Sequence, residues 1–146
     1  NMMALNKDAS AAMTEVGVNA ATDITGFGLM GHLSTMAKAS GITAKINVSS
    51  IPLLPGAQEI AESGVVTGGG NRNLIDTASM VSWSQDITES SKLLLCDPQT
   101  SGGLLISVES TKVGRLLNKL DSMGLSGYAN IGEIVEQEEF PVKVTH

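Results

Sequence analysis

Apolar and small residues recur at Leu5, Ala9, Ala12, Met13 and Val16, and this spacing predicts a helix over 5–16 that Gly17 stops. Residues 20–25 then read as a short connection. A second helical face runs through Leu29, Leu33, Met36 and Ala37 to Ser40-Gly41, with Asp23 or Thr25 available to cap it. Gly26, Gly28 and Gly31 crowd its first turns at an intrinsic cost of about 1 kcal/mol each relative to Ala, which points to close packing or to the approach of a ligand. Alternation at Ile42, Ala44, Ile46 and Val48 predicts a half-buried strand, closed by Ser49-Ser50 and the prolines 52 and 55. Pro55-Gly56 opens a short helix with Ala57, Ile60, Ala61 and Val65 on one face. The run Thr67-Gly68-Gly69-Gly70-Asn71-Arg72-Asn73 reads as turn, followed by a brief helix over 74–80.

Residues 81–91 carry no decisive period. Lys92 to Asp97 is an apolar segment bounded by Pro98, and Leu104, Leu105, Ile106 and Val108 predict a buried strand after Gly102-Gly103. The strongest helical face is Val113, Leu116, Leu117 and Leu120, giving a helix over 111–123 that Gly124 ends. Tyr128 to Val135 and Phe140 to Val144 read as strands around the acidic turn Glu136-Gln137-Glu138-Glu139. Helices and strands interleave without a strict βαβα order, which favours an α+β fold with a mixed β-sheet. No repeat, linker or low-complexity tract divides the chain, so one domain over 1–146 is expected.

Composition narrows the functional classes. The chain has 146 residues, 42% of them apolar but only 3% aromatic, so aliphatic side chains and seven Met must fill the interior. A formal charge of −6 with nine scattered basic residues argues against a surface that holds nucleic acid. A small anionic ligand is still compatible, because backbone N–H groups and a bridging divalent cation bind phosphate in an acidic protein. Cys96 is the only cysteine, which excludes an internal disulfide and is expected of a cytoplasmic location. The apolar runs are too short to span a bilayer.

Two acidic, glycine-flanked clusters carry the candidate chemistry: Ala21-Thr22-Asp23-Ile24-Thr25-Gly26-Phe27-Gly28-Leu29-Met30-Gly31-His32 and Cys96-Asp97-Pro98-Gln99-Thr100-Ser101-Gly102-Gly103-Leu104-Leu105. Each brings a carboxylate to a stretch of small residues that let backbone approach a ligand. Asp23 is the first candidate for a metal ligand, since Mg²⁺ takes oxygen ligands and shares one or two carboxylates with substrate phosphates. The competing reading is an N-cap. The Asp97–Gly103 loop could meet a phosphate or a neighbouring domain, or be a turn dictated by Pro98 and two glycines. Gly68 to Asn73 resembles an anion loop around Arg72 but matches neither nucleotide-binding glycine pattern. His32 has no partner His or Cys at metal spacing and reads as a surface or satisfied core histidine, and Cys96 as a small buried residue. No nucleophile and base pair is present, so the catalytic set is empty and the chain reads as one wall of a site.

Taken in order, ATDITGFGLMGH, PLLPGA, GGGNRN and CDPQTSGGLLISV resemble the C-terminal domain of selenophosphate synthetases (selenide, water dikinases), within the aminoimidazole ribonucleotide synthetase-like superfamily. The likeness runs from about residue 19 to about residue 134, and DPQTSGG is its discriminating element. The resemblance implies an α+β domain with a mixed sheet, helices packed on it and a partial likeness to ferredoxin-like topology. It implies a two-domain, homodimeric enzyme that converts ATP, selenide and water to selenophosphate, AMP and phosphate, with Mg²⁺ bridging the phosphates and a monovalent cation assisting.

In that family the N-terminal domain supplies a catalytic Cys or selenocysteine, a Lys, further metal-binding Asp residues and the dimer interface, none of which is in this sequence. The resemblance assigns Asp23 to Mg²⁺ at the cleft between domains, and gives Thr25, Gly26, Asn71, Arg72, Asp97 and Thr100 a proximity or loop-shaping role. It implies a chain that does not turn over ATP alone and holds no cofactor tightly. The opening Asn1-Met2-Met3 is not a natural start for that family, so a cloned domain or a proteolytic remnant is expected. Two other readings stand beside this one: a non-catalytic binding or regulatory module, and a domain of another ATP-dependent member of the superfamily.

Overall fold

The computed structural model describes residues 5–146. Its elements are α1 (Lys7–Val16), β1 (Ala20–Asp23), α2 (Gly28–Ser40), β2 (Ile42–Asn47), α3 (Ala57–Glu62), α4 (Gly68–Thr77), β3 (Val81–Trp83), α5 (Glu89–Cys96), β4 (Leu104–Ser107), α6 (Val113–Ser122), β5 (Gly132–Glu136) and β6 (Val142–Thr145), with 3₁₀ turns at Val48–Ser50 and Ser110–Lys112. Four strands form a mixed sheet in the order β3-β6-β2-β5, with β6 parallel to both β3 and β2 and β5 antiparallel to β2. β1 and β4 form a separate antiparallel ribbon, in register from Ala20 opposite Ser107 to Asp23 opposite Leu104. The fold is α+β with a mixed sheet, as the sequence pattern predicts.

The ribbon lies between two cores. One face supplies Leu105 and the following Ile24 to the main core, where Met30, Leu33 and Ala37 of α2 meet Ala44, Ile46, Val81, Val142 and Val144 of the sheet. Ile106 and Val108 pack the other way, against Ala12 and Val16 of α1 and Leu116 and Leu120 of α6. The strand period of two therefore feeds both cores from one short strand. Met30 and Leu33 are almost wholly buried, and removing such side chains from water stabilises a fold by about 1.5–3 kcal/mol each.

Several local expectations need correction. Residues 20–25 are not a bare connection: Ala20–Asp23 is strand β1, too short and too polar for its alternation to show, and formed by pairing with β4. Neither Asp23 nor Thr25 caps α2, which begins after Phe27 with no side-chain cap. The glycine run is not a turn. Thr67 caps α4 by accepting the Gly70 N–H at 2.9 Å, so the three glycines occupy the helix's first turn. Tertiary packing overrides their low helix propensity, since Gly69 lies where a Cβ would come 2.7 Å from the Pro98 ring. Lys92 to Asp97 ends helix α5, whose start Thr88 caps by accepting the Ser91 N–H.

In β2, Thr43 is as buried as its apolar neighbours, because the strand is internal and the hydroxyl is satisfied on both sides. It donates to the Phe140 carbonyl at 2.8 Å and accepts the Glu138 N–H at 2.9 Å. Val48 leaves the strand for a 3₁₀ turn held by the Asn47 side chain. β5 starts only at Gly132, where a side chain would strike the Lys45 carbonyl, and it extends through Glu136 rather than turning there.

Candidate functional site at the junction of the two motif loops

The ribbon delivers the two acidic clusters to one place. Beyond Asp23 and Leu104 the strands stop, and the Ile24–Phe27 and Asp97–Gly103 loops run side by side. Ile24 N–H donates to the Gly103 carbonyl at 2.9 Å, and Gln99 N–H donates to the Thr25 carbonyl at 3.0 Å. The approach is close enough to require glycine: a Cβ on Gly102 would lie 2.1 Å from the Ile24 carbonyl oxygen. Gly28 is in the left-handed region (φ 65°), and a Cβ there would lie 2.6 Å from the Cys96 carbonyl. Gly31 faces Phe27 in the same way, whereas Gly26 is exposed with open space around it.

Helix α4 joins this assembly from a third direction. Asn73 is 93% buried and its side-chain amide donates to the Gly26 and Cys96 carbonyls, both at 2.9 Å. One residue thus ties the loop after β1 to the C-terminus of α5. Thr67 donates to Asp97 Oδ1 at 2.7 Å, and the Gln99 side chain donates to Asp97 Oδ2 at 3.2 Å. Both Asp97 oxygens are therefore engaged within the protein. Its role in the free domain is to fasten the second loop to the N-terminus of α4.

Asp23 is different. It is exposed, and among the described residues its carboxylate has neither a hydrogen-bond nor an ion-pair partner. It sits at the last paired position of β1, at the mouth of the two loops. Among the described residues no group of three or more His, Cys, Asp or Glu converges to hold a metal, so any cation at Asp23 would need ligands from elsewhere. Asn71 and Arg72 are exposed on the first turns of α4, Thr100 on the second loop, and Thr25 is half-buried between the two.

His32 is satisfied, and its position brings it into the site's support. Its Nε2 lies 3.1 Å from both the N–H and the hydroxyl of Thr25, while its ring meets Phe27 edge-on with centroids 5.7 Å apart. Asn73 and Thr67 were not legible as parts of this site from sequence, because their partners are backbone carbonyls and a carboxylate distant along the chain. Cys96 is fully buried, and burial pushes its thiol up to about 11, partly offset by the Thr77 hydroxyl. No described helix is long and apolar enough to cross a membrane.

A family model described as AIR synthase related protein, C-terminal domain, matches residues 2–145. This chain belongs to that family. As an AIR synthase related C-terminal domain it is similar to proteins named selenide, water dikinase. That of Caldanaerobacter subterraneus subsp. tengcongensis is 45% identical over 143 residues, covering 98% of this chain and 41% of the relative. Those of Bordetella bronchiseptica and Pseudomonas aeruginosa are 42% and 41% identical, each over 98% of this chain and 40% of the relative. The chain spans about two-fifths of the length of these curated relatives.

Proposed function

We propose that this chain is the C-terminal domain of a selenide, water dikinase, a two-domain and homodimeric cytoplasmic enzyme that makes selenophosphate, AMP and phosphate from ATP, selenide and water. Within it, Asp23 would supply one oxygen ligand to Mg²⁺ and the N-terminal domain the others, and the ion would neutralise charge on the nucleotide phosphates. The observation that carries this reading is the open Asp23 carboxylate at the end of β1, beside two glycine-bearing loops locked to each other.

Phosphoryl transfer is mainly positioning and neutralisation of charge, so a rigid wall with one well-placed carboxylate is a useful part even without a nucleophile. Thr25 and Gly26 line that wall from the first loop and Thr100 from the second, while Arg72 and Asn71 offer a cation and an amide from α4. Asp97 shapes the second loop. Phe27, four residues after Asp23, is 67% exposed, an apolar ring that a companion domain would cover.

The test is selenide-dependent AMP formation. A polypeptide joining this chain to its N-terminal domain is expected to catalyse it, the same polypeptide with Asp23→Asn to lose at least about a hundredfold in kcat/KM, and the 146-residue chain alone to show none. Full activity in the Asp23→Asn protein would refute the assignment. So would robust turnover by the isolated chain.

A further inference from the structure

The Ile24–Phe27 loop follows directly on the proposed cation ligand, and its hydrogen bonds converge on Thr25. The Thr25 carbonyl accepts two N–H groups, from Gln99 and from Gly28, both at 3.0 Å. The Thr25 N–H donates to His32 Nε2, and the Thr25 hydroxyl lies equally close to that nitrogen. An N–H donor fixes Nε2 as the acceptor, which places the ring proton on Nδ1. Two features hold the imidazole at this point. His32 is the fifth residue of α2, in a helix whose next residues, Leu33 and Ser34, are buried in the main core, and its ring packs against Phe27. A helix anchored in the core thereby reaches back seven residues to the loop that carries the motif.

We infer that His32 is a positioning residue: through its Nε2 it holds the backbone of Thr25 and so fixes the direction in which Asp23 leaves the ribbon. This inference rests on the proposed role of Asp23 for its functional meaning, but not for its geometry. The turn between Asp23 and Gly26 has no other side-chain partner for the Thr25 N–H among the described residues, so removing the imidazole frees that amide. Gln reaches the same place with a carbonyl oxygen in place of Nε2, whereas Leu offers volume without an acceptor.

The experiment uses the 146-residue chain labelled with ¹⁵N. Long-range ¹H–¹⁵N spectra of the wild type are expected to show His32 with its proton on Nδ1, and a proton on Nε2 would overturn the proposal. In His32→Leu the Thr25 amide is expected to exchange with solvent at least about tenfold faster while amides of α6 are unchanged, and His32→Gln to return it to within about threefold of wild type. Equal Thr25 exchange in wild type and His32→Leu would also overturn it.

Mn²⁺ as a paramagnetic probe separates this inference from the Asp23 reading. Selective broadening of amides 22–26 in the wild type, lost in Asp23→Asn and weaker and more diffuse in His32→Leu, supports both. A wild-type pattern retained in His32→Leu rejects the positioning role. Absent broadening in the wild type agrees with a cation held only together with the N-terminal domain, and the tautomer and exchange data then decide whether His32 holds the loop.

Discussion

Replacing Asn73 by Ala tests whether the site is held together as described. The substitution removes two hydrogen bonds of 2.9 Å, to the Gly26 and Cys96 carbonyls, from a side chain that is 93% buried. Each such bond contributes about 1 kcal/mol net, and the Cys96 carbonyl, away from water, adds a penalty toward the upper end of the range of about 1–3 kcal/mol for an orphaned buried group. Ala is the better helix former in α4 by about 0.5 kcal/mol, which offsets part of the loss. The net expectation is a destabilisation of about 3–4 kcal/mol, or roughly 6–16 °C in Tm for a chain of this size. Equilibrium urea unfolding followed by circular dichroism measures it, with an unchanged m value as the sign that the folded state is otherwise intact. Asn71→Ala is the control, since Asn71 is exposed and bonded only weakly to the preceding turn. A loss below about 0.5 kcal/mol for Asn73→Ala, or one equal to the control, would refute the clamp.

Three further outcomes follow from the same geometry. Among the described residues the Ser34 hydroxyl is fully buried without a partner, so Ser34→Ala is expected to be neutral or to stabilise by up to about 1 kcal/mol in urea unfolding; a clear loss would show that the hydroxyl holds a hydrogen bond. With its thiol raised to about 11, Cys96 is expected to react with a disulfide reagent at pH 8 only as fast as the chain opens, and labelling at the rate of a free thiol in native buffer would contradict its burial. Glu138 is held below the ordinary carboxylate range by hydrogen bonds from Lys143 and Lys45 on adjacent strands, so its contribution to stability is present at neutral pH and lost as pH falls through the depressed value. The stability gap between wild type and Glu138→Gln should therefore shrink from pH 7 toward pH 3, and a gap that is constant or grows would rule this out.

The parts of the fold legible in the sequence are those governed by local period. α6 declared itself through Val113, Leu116, Leu117 and Leu120, and Gly124 (φ 72°) ends its last turn. β4 followed from a continuous apolar run. What escaped was set by distant partners. Strand β1 exists because β4 pairs with it, and Ala20 to Asp23 alone carry no strand signal. The helical state of Gly68 to Gly70 depends on the Thr67 cap and on Pro98 filling the space that side chains would need. Within the site, Asp23 stood out because an acidic residue among glycines is a local pattern, and the structure leaves its carboxylate open. Asp97 stood out for the same reason, yet both its oxygens turn inward to Thr67 and Gln99. Position along the chain cannot distinguish these two fates. Hydrogen bonding in three dimensions does, and it also brings His32 and Asn73 from apparent bystanders into the support of the loops.

The most direct test of the central claim is calorimetry of Mg-ATP binding with Asp23 intact and as Asp23→Asn, in this chain and in the polypeptide that adds the N-terminal domain. Weak or no binding is expected of the chain alone, firm binding of the longer protein, and at least about a tenfold loss of affinity there on Asp23→Asn, with the difference vanishing when Mg²⁺ is withheld. Equal Mg-ATP affinity in the longer protein with and without the Asp23 carboxylate would contradict the claim.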